Sequence, residues 1–147
     1  MKALYKSPIG IITLVSDGTS LTELNLGESH DLKEQHKFSI FTETRRWLDL
    51  YFSGKKPDFI PSLNPKGTPF QQKVWQELLK IPYGQTTTYG AIAKRIGCRS
   101  AQAVGQAVHR NPIAIIIPCH RVIGADSSLT GYASGLDVKQ KLLQIEQ

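Results

Sequence analysis

The sequence predicts an α+β protein with two parts: a small amino-terminal antiparallel β-sheet with one helix, and a carboxy-terminal helical domain with a winged helix-turn-helix. Three observations carry that prediction. The first third holds β-prone runs separated by a hairpin turn signal. The second half holds two short helical stretches joined by a glycine-containing turn. The charge is also divided. Residues 1–65 carry eight Lys/Arg against eight Asp/Glu, whereas residues 66–147 carry ten against four and so hold the whole net charge of +6.

The elements follow in order. Ala3-Leu4-Tyr5, Ile9–Val15 and Leu21–Leu26 are strand-like, with Asp17-Gly18 as the turn between the last two. Trp47, Leu48, Tyr51 and Phe52 fall at helical spacing within Thr42–Phe52, and Gly54 ends that helix. Pro57, Pro61, Pro65 and Asn64 interrupt residues 55–66, which therefore look like a linker between a domain of residues 1–65 and one of residues 66–147. The second domain opens on a helix start: Thr68 as cap, Pro69 at the first helical position and Gln71 completing a capping box. Phe70, Val74, Trp75, Leu78 and Leu79 make its buried stripe, and Pro82 stops it. Thr88–Ile96 and Ser100–Arg110 are the paired helices, with Gly97–Arg99 between them. The β-branched run Ile113–Ile117 predicts a buried strand ending at Pro118, and Asp137 is placed to cap a last helix carrying Leu142, Leu143 and Ile145.

Composition narrows the function classes. With 40% hydrophobic and 20% charged residues the chain is neither disordered nor collagenous nor a coiled coil. Two cysteines make no disulfide framework and match no common zinc spacing, which points to a reducing compartment, the cytoplasm, with no metal or other cofactor. The start MKALYKSPIG lacks the apolar region of a secretory signal, and the run Ile113–Ile117 is too short to cross a bilayer, so no membrane association is expected. Between Leu78 and Ala125 six basic residues (Lys80, Lys94, Arg95, Arg99, Arg110, Arg121) occur with no acid. Such a stretch suits an anionic partner, nucleic acid first.

The second helix of the pair is mostly small: Ala101, Ala103, Val104, Gly105 and Ala107. A major-groove reader carries long polar side chains there. Small residues instead let the helix backbone approach a minor groove, although packing against neighbouring helices would select the same residues.

Chemistry concentrates at Asn111-Pro112 and at Pro118-Cys119-His120-Arg121-Val122. A cysteine at a buried strand end is either a packed core residue or a nucleophile. His120 supplies a base, Arg121 and the basic surroundings favour a thiolate, and Pro118 fixes the chain direction. On a strand, Cys119 and His120 would point to opposite sides, so His120 would act through a water.

Asn111-Pro112-Ile113 followed by Pro118-Cys119-His120-Arg121-Val122-Ile123 resembles the active-site motif of the O6-alkylguanine-DNA alkyltransferases. The resemblance continues through Gly67-Thr68-Pro69-Phe70, Ile81-Pro82-Tyr83-Gly84-Gln85, Thr88-Tyr89, Ala103-Val104-Gly105, Leu129-Thr130-Gly131-Tyr132, Gly135-Leu136 and Leu142-Leu143. It covers residues 66–147; the first half is similar to the family only in length and strand order.

That resemblance implies direct repair of DNA. The family binds duplex DNA as a monomer from the minor groove through the helix-turn-helix, flips the damaged guanine out and moves its alkyl group irreversibly onto the cysteine. O4-alkylthymine is a further candidate substrate. By resemblance Cys119 is the nucleophile, and its proton passes through His120 and a water to Glu146. Asn111 holds the turn before the active-site strand, and Tyr89 donates to the leaving base. Tyr132, Ala133, Ser134, Val122 and Lys139 line the base pocket, with Tyr132 as stacking wall and Lys139 as supporting donor. Thr88, Ala101, Gln102, Gly105, Arg110 and Arg121 face DNA. The thioether product is a poor leaving group, so each molecule acts once. Gln102 stands where the family usually has an arginine that fills the space of the extruded base, and Lys141 where relatives often have tryptophan. A transcription factor would explain the charge but not Pro118-Cys119-His120-Arg121; lesion-sensing relatives lack the cysteine; a Cys-His hydrolase would turn over more than once.

Overall fold

The computed structural model describes residues 1–27, 38–124 and 136–147. Two compact units emerge, one of Met1–Lys66 with Pro112–Ala114 and Glu146, the other of Gly67–Asn111 with Ile115–Ile145 and Gln147.

In the first unit β1 (Lys2–Ser7), β2 (Gly10–Ser16) and β3 (Leu21–Leu26) form an antiparallel meander in the order β1-β2-β3. The register pairs Leu4 with Thr13 and Leu14 with Leu24, and shifts at Val15/Ser16. The turn between β2 and β3 is built by Asp17, whose carboxylate accepts from Thr19 N at 3.0 Å and Ser20 N at 2.9 Å. Those donors, together with the Asn64 amide at 3.0 Å, hold its carboxyl well below the usual carboxylate range. Gly18 takes φ +108°, which other residues rarely adopt.

Helix α1 (Ser39–Phe52) buries Ile40, Phe41, Thr44, Trp47, Leu48 and Tyr51, and packs against all three strands. It starts three residues before the Thr42 that periodicity suggests, because Ile40 and Phe41 extend the same apolar face. The proline-rich stretch after it is partly an edge strand. Leu21 N donates to Ser62 O at 2.8 Å and Asn64 N to Leu21 O at 2.8 Å, so this segment pairs with the start of β3. Further along β3, Leu24 N donates to Pro112 O at 2.9 Å and Ala114 N to Leu24 O at 3.3 Å. Both segments cover edge groups that an open strand would leave unpaired.

In the second unit α2 (Pro69–Leu79) carries the complete capping box: Gln71 N donates to Thr68 Oγ1 at 3.2 Å and Thr68 N to Gln71 Oε1 at 2.9 Å. Gly67 lies so close to the Trp75 ring that a Cβ has no room. Strand β4 (Thr87–Thr88) leads into α3 (Tyr89–Arg95), capped by the Thr88 hydroxyl accepting from Ala91 N at 3.1 Å. The helix ends in a Schellman arrangement, with Cys98 N donating to Ala93 O at 2.8 Å and Gly97 N to Lys94 O at 3.3 Å; Gly97 holds the left-handed position, φ +71°. Ser100 then caps α4 (Ala101–His109) by accepting from Ala103 N at 3.1 Å. Helices α3 and α2 pack on α4 through its buried Val104, Ala107 and Val108, and Trp75 Nε1 donates to Ala107 O at 2.9 Å. Strand β5 (Val122–Ile123) pairs in parallel with β4, and α5 (Leu136–Ile145) closes the chain. Asp137 lies in the first turn of α5, one residue inside the start where a cap was expected. No described helix is long and apolar enough to cross a membrane.

Candidate active site

The predicted strand Ile113–Ile117 does not form. Ile113 makes a single parallel bridge to Leu24, and the chain then turns through Ala114–Ile116, with Ile115 at φ +73°. A β-branched residue in that region is strained and needs its surroundings to hold it. Ile113, Ile115, Ile116 and Ile117 are all buried, so the apolar run serves packing rather than a ladder.

Pro118 (φ −82°, ψ 66°) is the centre of an inverse γ-turn closed by Cys119 N donating to Ile117 O at 2.8 Å. A 3-10 turn, Cys119–Arg121, follows and is braced by Arg121 N donating to Pro118 O at 3.0 Å. Cys119 therefore opens a helical turn instead of ending a strand. In a helix of three residues per turn successive side chains are about 120° apart, so the opposite orientation expected for Cys119 and His120 does not apply.

Cys119 is 7% exposed and His120 is fully buried. Burial pushes the Cys119 thiol above the ordinary value of 9.0; the Asn111 amide, the Lys139 ammonium and the local backbone act in the opposite direction without overcoming it. Burial thus opposes the thiolate that the basic stretch was expected to favour. The reason is where the cations lie. Lys94, Arg95, Arg99 and Arg110 are solvent-exposed, while the cation that acts on the sulfur is Lys139 on α5. Lys139 is fully buried, donates to Val122 O at 2.5 Å, and is itself held below the usual lysine value by burial, with the Cys119 charge opposing. Asn111, just past α4, anchors the turn by donating its amide to Ile117 O at 2.8 Å.

Arg121 is not placed to meet DNA. It is 7% exposed, its guanidinium donates to Ile81 O at 2.8 Å, and it stacks over the Tyr83 ring at 5.6 Å. Tyr83 in turn donates to Ile145 O at 3.3 Å. This brace was invisible in the sequence because a basic residue beside a reactive cysteine suggests an electrostatic role before a structural one. Val122 is fully buried beneath the same turn, paired with Thr87.

Helix α4 exposes Ala101, Gln102, Gln106, His109 and Arg110, and half-buries Ala103 and Gly105. The Tyr89 ring lies beside Gly105, where a Cβ would come within 3.7 Å of it. Thr88 is half-buried, with its hydroxyl engaged in the cap of α3. Glu146 is 5% exposed and groups with the first unit, where Tyr51 Oη donates to Glu146 Oε2 at 2.6 Å. Periodicity had marked Tyr51 as core alone; nothing in its neighbours signalled the carboxylate. Tyr132, Ala133 and Ser134 lie outside the described residues. Among the described residues no group of three or more His, Cys, Asp or Glu could hold a metal ion.

Comparison with known proteins gives consistent matches. The family described as 6-O-methylguanine DNA methyltransferase, DNA binding domain, matches residues 69–147, and 6-O-methylguanine DNA methyltransferase, ribonuclease-like domain, matches residues 1–64. The methylated-DNA–protein-cysteine methyltransferase of Methanosarcina acetivorans is 48% identical over 98% of this chain and 96% of its own length. That of Mycobacterium tuberculosis is 46% identical over 96% of this chain and 88% of its own. A crystal structure of Mycobacterium tuberculosis OGT in complex with DNA superposes with a TM-score of 0.88 at 45% identity, covering 99% of this chain and 91% of that one.

Proposed function

From its membership of the methylated-DNA–protein-cysteine methyltransferase family, to which this chain belongs, we propose that it repairs DNA by moving the alkyl group of O6-alkylguanine, and of O4-alkylthymine, onto Cys119. The observation that carries this reading is a buried thiol with two stabilisers already in place, the Asn111 amide and the Lys139 ammonium. Burial opposes the thiolate, and the two donors stabilise it at the moment of reaction.

In the step itself, the Cys119 sulfur attacks the alkyl carbon in line as the C–O6 bond breaks. The bonding pair stays with the base. By resemblance to the family, the thiol proton passes through His120 and a water to Glu146. Tyr89 donates to the departing guanine, which becomes neutral once a proton is returned to it. The product is a thioether with no leaving group of use, so one molecule repairs one lesion.

Residues 1–65 act as an amino-terminal domain and residues 66–147 as the DNA-binding and active-site domain. Ala101, Gln102 and the half-buried Gly105 of α4, with Arg110 just past its end, meet the minor groove of duplex DNA, helped by Thr88 at the start of α3. A short, small-residue face suits backbone approach and phosphate contacts. By resemblance to the family, Tyr132, Ala133, Ser134, Val122 and Lys139 belong to the site that binds the base. The protein works as a monomer in the cytoplasm without a cofactor. Incubation with O6-benzylguanine followed by mass spectrometry of the Cys119 peptide tests the reading: one benzyl adduct per molecule is expected, and an unmodified peptide or multiple turnovers would defeat it.

A further inference from the structure

Helical spacing puts Phe70 in the buried stripe of α2, yet the structure leaves it outside. Val74 and Trp75 are buried, whereas Phe70 is 36% exposed, the one aromatic among the large hydrophobic side chains exposed in the described residues. The reason is what α4 presents to it. Phe70 borders a groove of about 200 Å³ whose other apolar walls are Ala103 and Ala107, side chains too short to cover a ring. Gln106 and Arg110, both solvent-exposed, rim the same groove, and no acidic residue lines it. Thr68 and Gln71 close it from α2 and are engaged with each other in the capping box. Gln106 lies one turn beyond Gln102 on α4, so the groove continues the helix face assigned to DNA. A stable protein partner needs about 800 Å² on each side, far more than so small a groove offers. Deoxyribose, apolar on its C–H faces and flanked by phosphates, suits an aromatic wall beside a guanidinium.

We propose that this groove seats the sugar-phosphate backbone of one DNA strand, with a deoxyribose against Phe70, Ala103 and Ala107 and the adjoining phosphate between the Gln106 amide and the Arg110 guanidinium. The inference rests on α4 facing DNA. It adds a hold on the backbone that does not depend on the lesion, through two residues, Phe70 and Gln106, that no charge pattern marks.

The test titrates the full chain into a fluorescent, lesion-free duplex and reads anisotropy. It compares Phe70→Ala, Gln106→Glu and a control outside the groove, Gln76→Glu on α2; all three positions are exposed, so the variants should fold, and melting temperatures check this. Phe70→Ala is expected to weaken binding about three- to tenfold, the share of one aromatic side chain left to bury, with the log–log salt slope unchanged. Gln106→Glu sets a carboxylate beside the phosphate and should weaken binding at least about tenfold. Gln76→Glu makes the same charge change elsewhere and should cost no more than about twofold. In hydroxyl-radical cleavage of the bound duplex, a sugar protected by the wild type should lose its protection with Phe70→Ala. Equal losses for the two glutamates would reveal only a long-range charge effect, and wild-type affinity in Phe70→Ala and Gln106→Glu would put the groove away from DNA; either result overturns the proposal. So does a change in self-association with Phe70→Ala at unchanged duplex affinity, which would make a second copy of the chain the occupant. A wild type that binds no duplex would remove the DNA assignment of α4 and this proposal together. Absence of any Cys119 adduct with O6-benzylguanine would instead remove the function itself.

Discussion

Replacing Asn111 with alanine separates two jobs that one side chain performs. Its amide donates to the carbonyl of Ile117, itself 1% exposed, at 2.8 Å, and it hydrogen-bonds the Cys119 sulfur. Losing the first bond strands a buried acceptor, which costs about 1–3 kcal/mol. For a domain of this size that corresponds to a fall in melting temperature of about 2–4 °C per kcal/mol. Losing the second removes a donor from a buried thiolate, about 1.5–3 kcal/mol, or roughly one to two pH units. The direction is upward, adding to the shift that burial already imposes. Titrating the thiolate by its ultraviolet absorbance, with Cys119→Ala as blank, reads the second effect, and calorimetry reads the first. Asn111→Ala should therefore melt lower, titrate higher and transfer about 10–100-fold more slowly at neutral pH, by the same conversion. A lower melting temperature with an unchanged thiol titration would show that Asn111 only braces the turn, and would refute its assignment to the chemistry.

Other outcomes follow from the same contacts. Lys139→Met should raise the Cys119 titration and slow transfer while changing stability by no more than about 1–2 kcal/mol, since the loss of the Val122 contact is offset by relief of a desolvated ammonium; kinetics and calorimetry on one preparation decide this. Because the folded-state thiol value lies above the ordinary 9.0, its contribution to stability is complete below that pH and is lost as pH rises through the folded value. Wild type should thus lose up to about 1.4 kcal/mol per pH unit relative to Cys119→Ala in alkaline denaturant titrations. Arg121→Met should cost stability by stranding Ile81 O, yet leave the salt dependence of DNA binding unchanged. Gln102→Arg, on an exposed face, should tighten DNA binding and steepen its log–log salt slope by about 0.9 in fluorescence anisotropy titrations.

Local signals marked most elements because their causes are local. The Thr68–Gln71 capping box, the Gly97 helix end and the Asp17-Gly18 turn are each set by contacts within a few residues, and each is found in the structure. The family resemblance in turn rests on contiguous residues around Cys119. The run Ile113–Ile117 shows where such reasoning stops: five β-branched and apolar residues suit a strand or a packed turn equally well. Asn111 anchoring Ile117, and Leu24 pairing with the backbone at Pro112–Ala114, decide between them.

By itself the sequence determined the amino-terminal strands, the main helices, the basic second half and the candidate sulfur, since these are properties of neighbouring residues. The tertiary structure decided which charges act. Arg121, adjacent to the motif, is spent on Ile81 and Tyr83, while Lys139, 20 positions beyond Cys119 in the chain, reaches the sulfur's field. Tyr51, 95 residues before Glu146, meets its carboxylate. Electrostatic interaction and desolvation depend on distance and burial in space, and neither quantity can be read along a chain.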